Sequence, residues 1–335
     1  MSICIQHIEY SLPAKVVTNQ DLKKQHPDWD IKKVESKSGV FQRHIAAPDQ
    51  TAYDLAKEAV TKLFDRNIVA KEDIDGILFC TQSPDYIMPS NAFLIHNDFG
   101  LRSNVWAFDY NLACSGYIYG LAIARGFIET KMAKNILLIT ADTYSRYINE
   151  NDRSTNVLFG DGAAVSLITS NENSDFFDIE LASEGSEYEA FYIPSGGCKI
   201  PKSDQTKVMV ADRSGNERTL EDIHMNGFAV WKFISNTVPR QIKELLKRND
   251  LTIDEIDFIG FHQASKLTLG SLSKALKIDP DELFTNLGRV GNTVSSSIPI
   301  ALKDAQTEGK LKKGDLILLS GFGVGLSWGS IIMRM

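Results

Sequence analysis

Cys114 stands in the segment NLACSGYIYG, after the apolar run VWAFDY and before a longer helix-like stretch. That order puts the sulfur on a strand-to-helix elbow. At a helix N-terminus the free amides and the helix dipole favour a thiolate, so a lowered thiol pKa is expected. The small neighbours Ala113, Ser115 and Gly116 permit a tight turn and close approach of a substrate. Taken alone, the same cysteine also reads as a buried structural one. His262 follows the run DFIGF. The end of a buried strand is where an α/β layer presents its site edge, although a lone histidine there also reads as a satisfied core residue. Asn292 lies in VGNTVSSS. Alone it is an ordinary turn with a helix cap. Together, an elbow Cys, a strand-end His and an elbow Asn can converge at one interface between two halves of the chain. Gly321, Gly323 and Gly325 follow DLILLS. They read as a turn offering backbone N–H groups to an oxyanion, or as a plain tight turn. No long helix with a later acidic residue follows, which excludes a dinucleotide fingerprint.

The elements that must position these residues are legible as alternating apolar runs and helical patterns. Strands are predicted at 75–80, 105–109, 135–140, 164–168, 257–261, 315–320 and 329–333. Helices are predicted at 52–65, 115–131, 228–249, 267–276 and 297–308. Continuous Val/Ile/Leu runs imply strands covered on both faces, and strand–helix–strand order implies α/β layers. The two halves echo each other at an offset of about 180 residues. KMAKNILLIT is answered by GKLKKGDLILLS, and KEDIDGILFCTQS by TIDEIDFIGFHQAS. A duplicated fold is therefore expected. Under that duplication Asn292 occupies nearly the place of Cys114. Segment 195–222 is polar and weakly periodic, and reads as a surface loop or lid. FGDGAAV at 159–165 reads as a structural turn.

Composition bounds the rest. The 335 residues carry 36 Lys and Arg against 43 Asp and Glu, a net charge of −7. A general nucleic-acid binder would be basic. With 43% apolar and 24% charged residues the chain is an ordinary globular one, not a disordered or collagenous one. No apolar run reaches the roughly 18 residues of a membrane span. The start MSICIQHIEYSLPAKV predicts no secretory signal, so a cytoplasmic location is expected. Four cysteines make no disulfide framework, and Cys4, Cys80 and Cys198 lack zinc-ligand spacing. No metal site is expected.

Together, SGVFQRHIA (38–46), NLACSGYIYGL (111–121), DRSTNVLFGDGAA (152–164), HQAS (262–265), GNTVSSSIP (291–299) and GFGVGLSWGS (321–330) give a chain that closely resembles the β-ketoacyl-acyl-carrier-protein synthase III family of the thiolase superfamily. The resemblance implies an α/β, thiolase-like duplicated fold in five α-β-α-β-α layers. Its halves are 1–172, with the nucleophile, and 173–335, with the His and Asn. It implies a homodimer that uses acyl-CoA and acyl carrier protein and needs no cofactor. Cys114 is then the nucleophile that takes the acyl group. His262 and Asn292 hold the thioester carbonyl of the malonyl donor and favour decarboxylation. The backbone N–H groups of Cys114 and Val324 form the oxyanion hole. Lys37, Arg153, Lys232, Ser265, Met88, Phe159 and Phe322 are implied as substrate or CoA contacts. Several depart from the family pattern. Ser265 replaces an asparagine, and Lys33 and Lys37 stand where a stacking tryptophan and an arginine are usual. Met88 replaces the pocket-floor phenylalanine supplied across the dimer. A divergent relative that forms an ester or amide is the alternative. A non-catalytic partner subunit and a cysteine peptidase are further ones.

Overall fold

The computed structural model describes residues 2–171 and 177–335. The expected boundary between 172 and 173 lies outside the described residues. A five-stranded sheet has the order Ser2–Ser11, Gly162–Asn171, Asn135–Asp142, Gly76–Cys80, Trp106–Tyr110. The last three strands run parallel, and the first two are added antiparallel. A four-stranded sheet has the order Phe177–Ser183, Ser327–Arg334, Leu316–Gly323, Phe258–Phe261. Its last pair is parallel and the others antiparallel. The second sheet thus repeats the strand order of the first, without a counterpart to Trp106–Tyr110.

Side-chain alternation explains the layering. Along Asn135–Asp142, Ile136 and Leu138 face one core while Leu137 and Ile139 face another. Along Leu316–Gly323, Ile317 and Leu319 face inward while Leu316 and Leu318 face outward. The inner faces of both sheets close on the helices Gly116–Glu129 and Ser297–Thr307. Helix Ala52–Asp65 covers the outer face of the first sheet. Helices Gly227–Arg248 and Lys266–Leu276 cover that of the second. The result is five layers, and each fully buried Ile or Leu contributes about 2 kcal/mol. Local signals agree with this packing. Thr51 and Asp54 form a reciprocal capping box that starts Ala52–Asp65. Leu55, Ala59 and Leu63 then recur on its buried face.

Two strands of the large sheets escaped the sequence reading, Ser2–Ser11 and Phe177–Ser183. In the first, Ile3, Ile5 and Ile8 are buried, but the register shifts between Ile5 and His7. The bulge breaks the period of two that would have marked the strand.

Each central helix is pinned at its start to the opposite sheet. The hydroxyls of Ser115 and Ser327 share a hydrogen bond of 2.7 Å. In return, the Ser296 hydroxyl donates to the carbonyls of Thr140 at 2.9 Å and Gly162 at 3.2 Å. Beside it, Asp142 accepts from the Ser295 hydroxyl and from the Gln82 N–H at 2.8 Å. Asp142 is fully buried, and burial raises its carboxyl to about 7 although these donors oppose the shift. Its folded pKa therefore lies above the ordinary 3.8. The stability it contributes is complete below that ordinary value and is lost as pH rises through about 7. Asp142→Asn should remove this slope. Denaturant unfolding at about pH 5 and about pH 8 checks it. Wild type should lose more stability between the two than the variant, and parallel losses would refute the assignment.

Candidate active site

The elbow at Cys114 is held from both sides. The Tyr110 hydroxyl donates to the Gly116 carbonyl at 2.8 Å, and the Cys80 thiol donates to the Leu112 carbonyl at 2.8 Å. A Cβ on Gly116 would lie 2.3 Å from the Cys80 sulfur, so only glycine fits there. The predicted Gly-rich turn is different in the structure. Gly321 and Gly323 belong to the strand Leu316–Gly323 and lie against the nucleophile. A Cβ on Gly323 would sit 3.1 Å from the Cys114 sulfur. Val324 follows directly, half-buried, and packs in the same apolar cluster as Cys114.

His262 continues the strand Phe258–Phe261, its N–H donating to the Ser320 carbonyl at 2.9 Å. Its Nδ1 meets the Ser297 hydroxyl at 2.6 Å. That hydroxyl also accepts the Gln263 N–H at 3.4 Å, so its own hydrogen is free for Nδ1. The two nitrogens are thereby distinguished, with Nδ1 on Ser297 and Nε2 without a hydrogen-bond partner among the described residues. Burial lowers the histidine to about 3, and the ring is neutral at physiological pH. Phe322 meets it edge-on with centroids 5.6 Å apart.

Asn292 reaches the site through a strap between the two halves. Gly160 N–H donates to the Asn292 carbonyl at 2.9 Å, and Asn292 N–H donates to the Leu158 carbonyl at 3.0 Å. The Asn292 Oδ1 accepts the Val294 N–H at 2.9 Å, while Nδ2 makes one long contact of 3.5 Å to the Ala264 carbonyl. The amide thus offers its NH2. Val294 takes φ of 55°, a left-handed strain for a β-branched residue. The residue equivalent to Cys114, one before the helix cap, is Ser295 rather than Asn292. Asn292 lies three positions earlier. Behind the strap, Arg43 is fully buried and donates to Asn19, Val17 and Val157.

Cys114, His262 and Asn292 line one cavity of about 140 Å³, with Phe159, Ser265 and Phe322. All three catalytic candidates are buried. One expectation is overturned. Burial pushes the Cys114 thiol up, and the Asp142 carboxylate adds to the rise. The sulfur's own backbone N–H opposes them without winning. At rest Cys114 is a thiol.

The implied CoA contacts are only partly assembled. Ser265 lines the cavity, but its hydroxyl also caps helix Lys266–Leu276 by accepting the Thr268 N–H at 3.1 Å. Arg153 is half-buried with no hydrogen-bond or ion-pair partner among the described residues. Lys37 and Lys232 are exposed on helices Ile31–Ser38 and Gly227–Arg248, away from the cavity lining. Met88 is 80% exposed and lines no described cavity, so a floor role requires a second copy. Segment 195–222 forms an ordered flap, with strands Val210–Ala211 and Glu217–Arg218 paired. Its Arg218 lies 3.6 Å from Asp152. Sequence reasoning missed Ser297, Trp231, Met225 and Phe191, because nothing in their local pattern marks a site. Among the described residues no three His, Cys, Asp or Glu side chains gather as a metal would require. No described helix is long and apolar enough to cross a membrane.

A family model described as 3-oxoacyl-[acyl-carrier-protein (ACP)] synthase III matches residues 108–185. The corresponding C-terminal model matches residues 246–335. A β-ketoacyl-[acyl-carrier-protein] synthase III of Caldanaerobacter subterraneus subsp. tengcongensis is 38% identical, over 96% of this chain and 95% of the relative. One of Sulfurovum sp. is 36% identical, over 96% and 92%. The crystal structure of a 3-oxoacyl-(acyl-carrier-protein) synthase III superposes with a TM-score of 0.97 at 37% identity, covering all of both chains. That of the Aquifex aeolicus synthase III superposes with a TM-score of 0.86 at 33% identity, again over both full chains. With its five layers and duplicated sheets, the chain belongs to the 3-oxoacyl-[acyl-carrier-protein] synthase III family of the thiolase superfamily.

Proposed function

We propose that the protein catalyses the decarboxylative condensation that starts an acyl chain in fatty acid biosynthesis, with Cys114, His262 and Asn292 as its catalytic residues. The observation that carries this reading is their meeting in one buried cavity. In the first step the Cys114 sulfur attacks the carbonyl of an acyl-CoA. The new C–S bond forms, the CoA sulfur leaves, and the thiol proton goes with it as CoA–SH. The backbone N–H groups of Cys114 and Val324 hold the oxyanion; amides suit this because they need no deprotonation. The raised thiol fits a transfer in which the proton leaves with the departing thiolate, since a neutral His262 with its proton on Nε2 is no base for it.

In the second step the malonyl group of malonyl-acyl carrier protein loses CO2. His262 Nε2–H and the Asn292 NH2 donate to the thioester oxygen as it becomes an enolate oxygen. The carbon attacks acyl-Cys114, the C–S bond to Cys114 breaks, the released thiolate takes a proton from water to restore the thiol, and 3-oxoacyl-acyl carrier protein departs. Neither step requires a metal or a redox cofactor. Arg153 offers an unpaired cation to the CoA phosphates, and exposed Lys37 and Lys232 supply charge around the entrance to the acidic carrier or to CoA. A homodimer is part of this reading, supported by the apolar patch Tyr86, Ile87, Met88 and Phe93, in which Ile87 is fully exposed. We place the reaction in the cytoplasm, with no nucleic-acid or membrane partner. The ester- or amide-forming alternative draws no support from the relatives, which are named as condensing synthases.

Four outcomes are expected. Cys114→Ala should gain no acyl mass from any acyl-CoA, with its circular dichroism unchanged; retained acylation would sink the nucleophile assignment. His262→Ala should acylate normally and release CO2 from malonyl-acyl carrier protein at least a hundredfold more slowly. Equal loss of both partial reactions would contradict its role. Ser297→Ala should reproduce a milder form of the His262 defect, and Ser297→Thr should restore it. Imidazole 15N shifts in Ser297→Ala should report a mixture of tautomers in place of one. For the dimer, Ile87→Asp should lower the sedimentation mass; a wild type that sediments as a monomer would remove the dimer from the reading.

A further inference from the structure

Asp142 ends the strand Asn135–Asp142 and is fully buried, yet it does not line the cavity that holds Cys114, His262 and Asn292. No step of the proposed reaction uses it. Its Oδ1 accepts the Gln82 N–H at 2.8 Å, which fixes the carboxyl to the neighbouring chain just past the strand Gly76–Cys80. Its Oδ2 accepts both donors of Ser295, the hydroxyl and the backbone N–H, the latter at 3.3 Å. One oxygen of the first half thus grips one residue of the second. The residue before Ser295 is Val294, whose φ of 55° is left-handed. For a β-branched side chain that conformation costs about 1–3 kcal/mol and persists only where the surroundings impose it. Its φ is the torsion between the chain that Asp142 holds and the peptide that carries the Val294 N–H. That N–H donates to the Asn292 Oδ1 at 2.9 Å. The intervening Thr293 hydroxyl is buried without a hydrogen-bond partner among the described residues, so it anchors neither neighbour.

We infer that Asp142 is a positioning residue for Asn292: by gripping Ser295 it keeps Val294 left-handed, and the Val294 N–H then fixes the carboxamide with its NH2 toward the cavity. The inference rests on the reading of Asn292 as a donor to the thioester oxygen of the malonyl group. The Asn292 backbone is already held by Leu158 and Gly160, so the side-chain torsion is the freedom left to control. Without the grip on Ser295, Val294 relaxes toward negative φ and its N–H leaves the Asn292 Oδ1. The carboxamide can then turn its oxygen to the cavity, where it repels the developing enolate oxygen instead of donating to it. A carboxyl oxygen suits the grip because it accepts two donors at once. An amide at position 142 has one oxygen for donors on two sides, and its own NH2 meets either the Gln82 N–H or the Ser295 N–H, donor against donor. The effect is confined to the second partial reaction. Acylation of Cys114 makes no use of Asn292, and loss of the Asp142 charge removes one cause of the raised thiol, so the first step has no reason to slow.

The test is a double-mutant cycle read on two partial reactions. Wild type, Asp142→Asn, Ser295→Ala, Asn292→Ala and the Asp142→Asn/Asn292→Ala and Ser295→Ala/Asn292→Ala pairs are compared. Intact mass follows acylation of Cys114 from acetyl-CoA or octanoyl-CoA, and CO2 release follows turnover of malonyl-acyl carrier protein. Asp142→Asn and Ser295→Ala should acylate as fast as wild type and release CO2 about tenfold more slowly, with the loss in kcat and the KM for malonyl-acyl carrier protein unchanged. Asn292→Ala should lose about a hundredfold. Each pair should be no slower than Asn292→Ala alone, because a residue that acts through Asn292 has nothing left to act on. Ser295→Ala carries the test if Asp142→Asn fails to fold. Losses that multiply in the pairs, acylation that falls as far as CO2 release, or CO2 release that stays at the wild-type rate in both single variants each overturn the role of Asp142. A wild type that releases no CO2, or an Asn292→Ala variant that releases it as fast as wild type, overturns the reading of Asn292, and this inference with it.

Discussion

Two backbone hydrogen bonds decide where the chemistry can occur. They tie Asn292 to Leu158 and Gly160, and so bind a loop of one half to a loop of the other. Neither half holds a complete set of reacting groups. The sulfur comes from the elbow before Gly116–Glu129, and the imidazole and amide come from the other half. The strap leaves little room for variation behind it. Glycine is required at position 291, where φ is +79°. A Cβ on Gly160 would approach the Val290 carbonyl to 2.8 Å. Arg43 fills the space behind both glycines, and its two terminal nitrogens bond one side chain and two carbonyls rather than a direct ion-pair partner. Loss of that side chain would strand buried acceptors, which is a larger cost than the net value of the bonds themselves.

The site that this strap closes is electrically neutral at rest. Burial holds Cys114 as a thiol and His262 as a neutral imidazole. Its working groups are therefore neutral dipoles already aimed at where negative charge develops. In the proposed reaction, preorganised dipoles in a buried pocket stabilise an enolate without the reorganisation that water would need. The same dryness disfavours a buried carboxylate that lacks a partner. In the proposed reaction, loss of CO2 removes such a charge, so the environment that makes the histidine a poor base would also favour that step.

How much of this was readable in the chain depends on the kind of signal each residue leaves. Runs such as NILLIT and DLILLS mark strands covered on both faces, and both proved to be central strands of their sheets. Cys114, His262 and Asn292 were legible because each sits at the end of such an element. The first strand was not, because a bulge interrupts its alternation. The thiol's direction was read wrongly from the helix terminus alone; the burial that outweighs it is a property of the assembled halves, not of the elbow. Ser297 and Phe191 carried no local mark. One meets a histidine 35 positions away, and the other lines two cavities that exist only once the flap and elbow are in place.

Duplication explains why the groups converge and also why they differ. Each central helix begins at a serine bonded to the opposite sheet, Ser115 to Ser327 and Ser296 to Thr140 and Gly162. This reciprocal pinning brings both helix starts to the same seam. One position before the cap, the first half carries Cys114 and the second carries Ser295. The sulfur faces the cavity, whereas the Ser295 hydroxyl is spent on buried Asp142. In the proposed reaction one copy of a repeated elbow thus supplies the nucleophile. The other was given to holding the seam together, and its polar contribution to the cavity moved three residues upstream to Asn292. Two equivalent nucleophiles in one dry pocket would compete for the same acyl group. An amide beside one sulfur instead keeps the donor and the acyl carrier in separate roles.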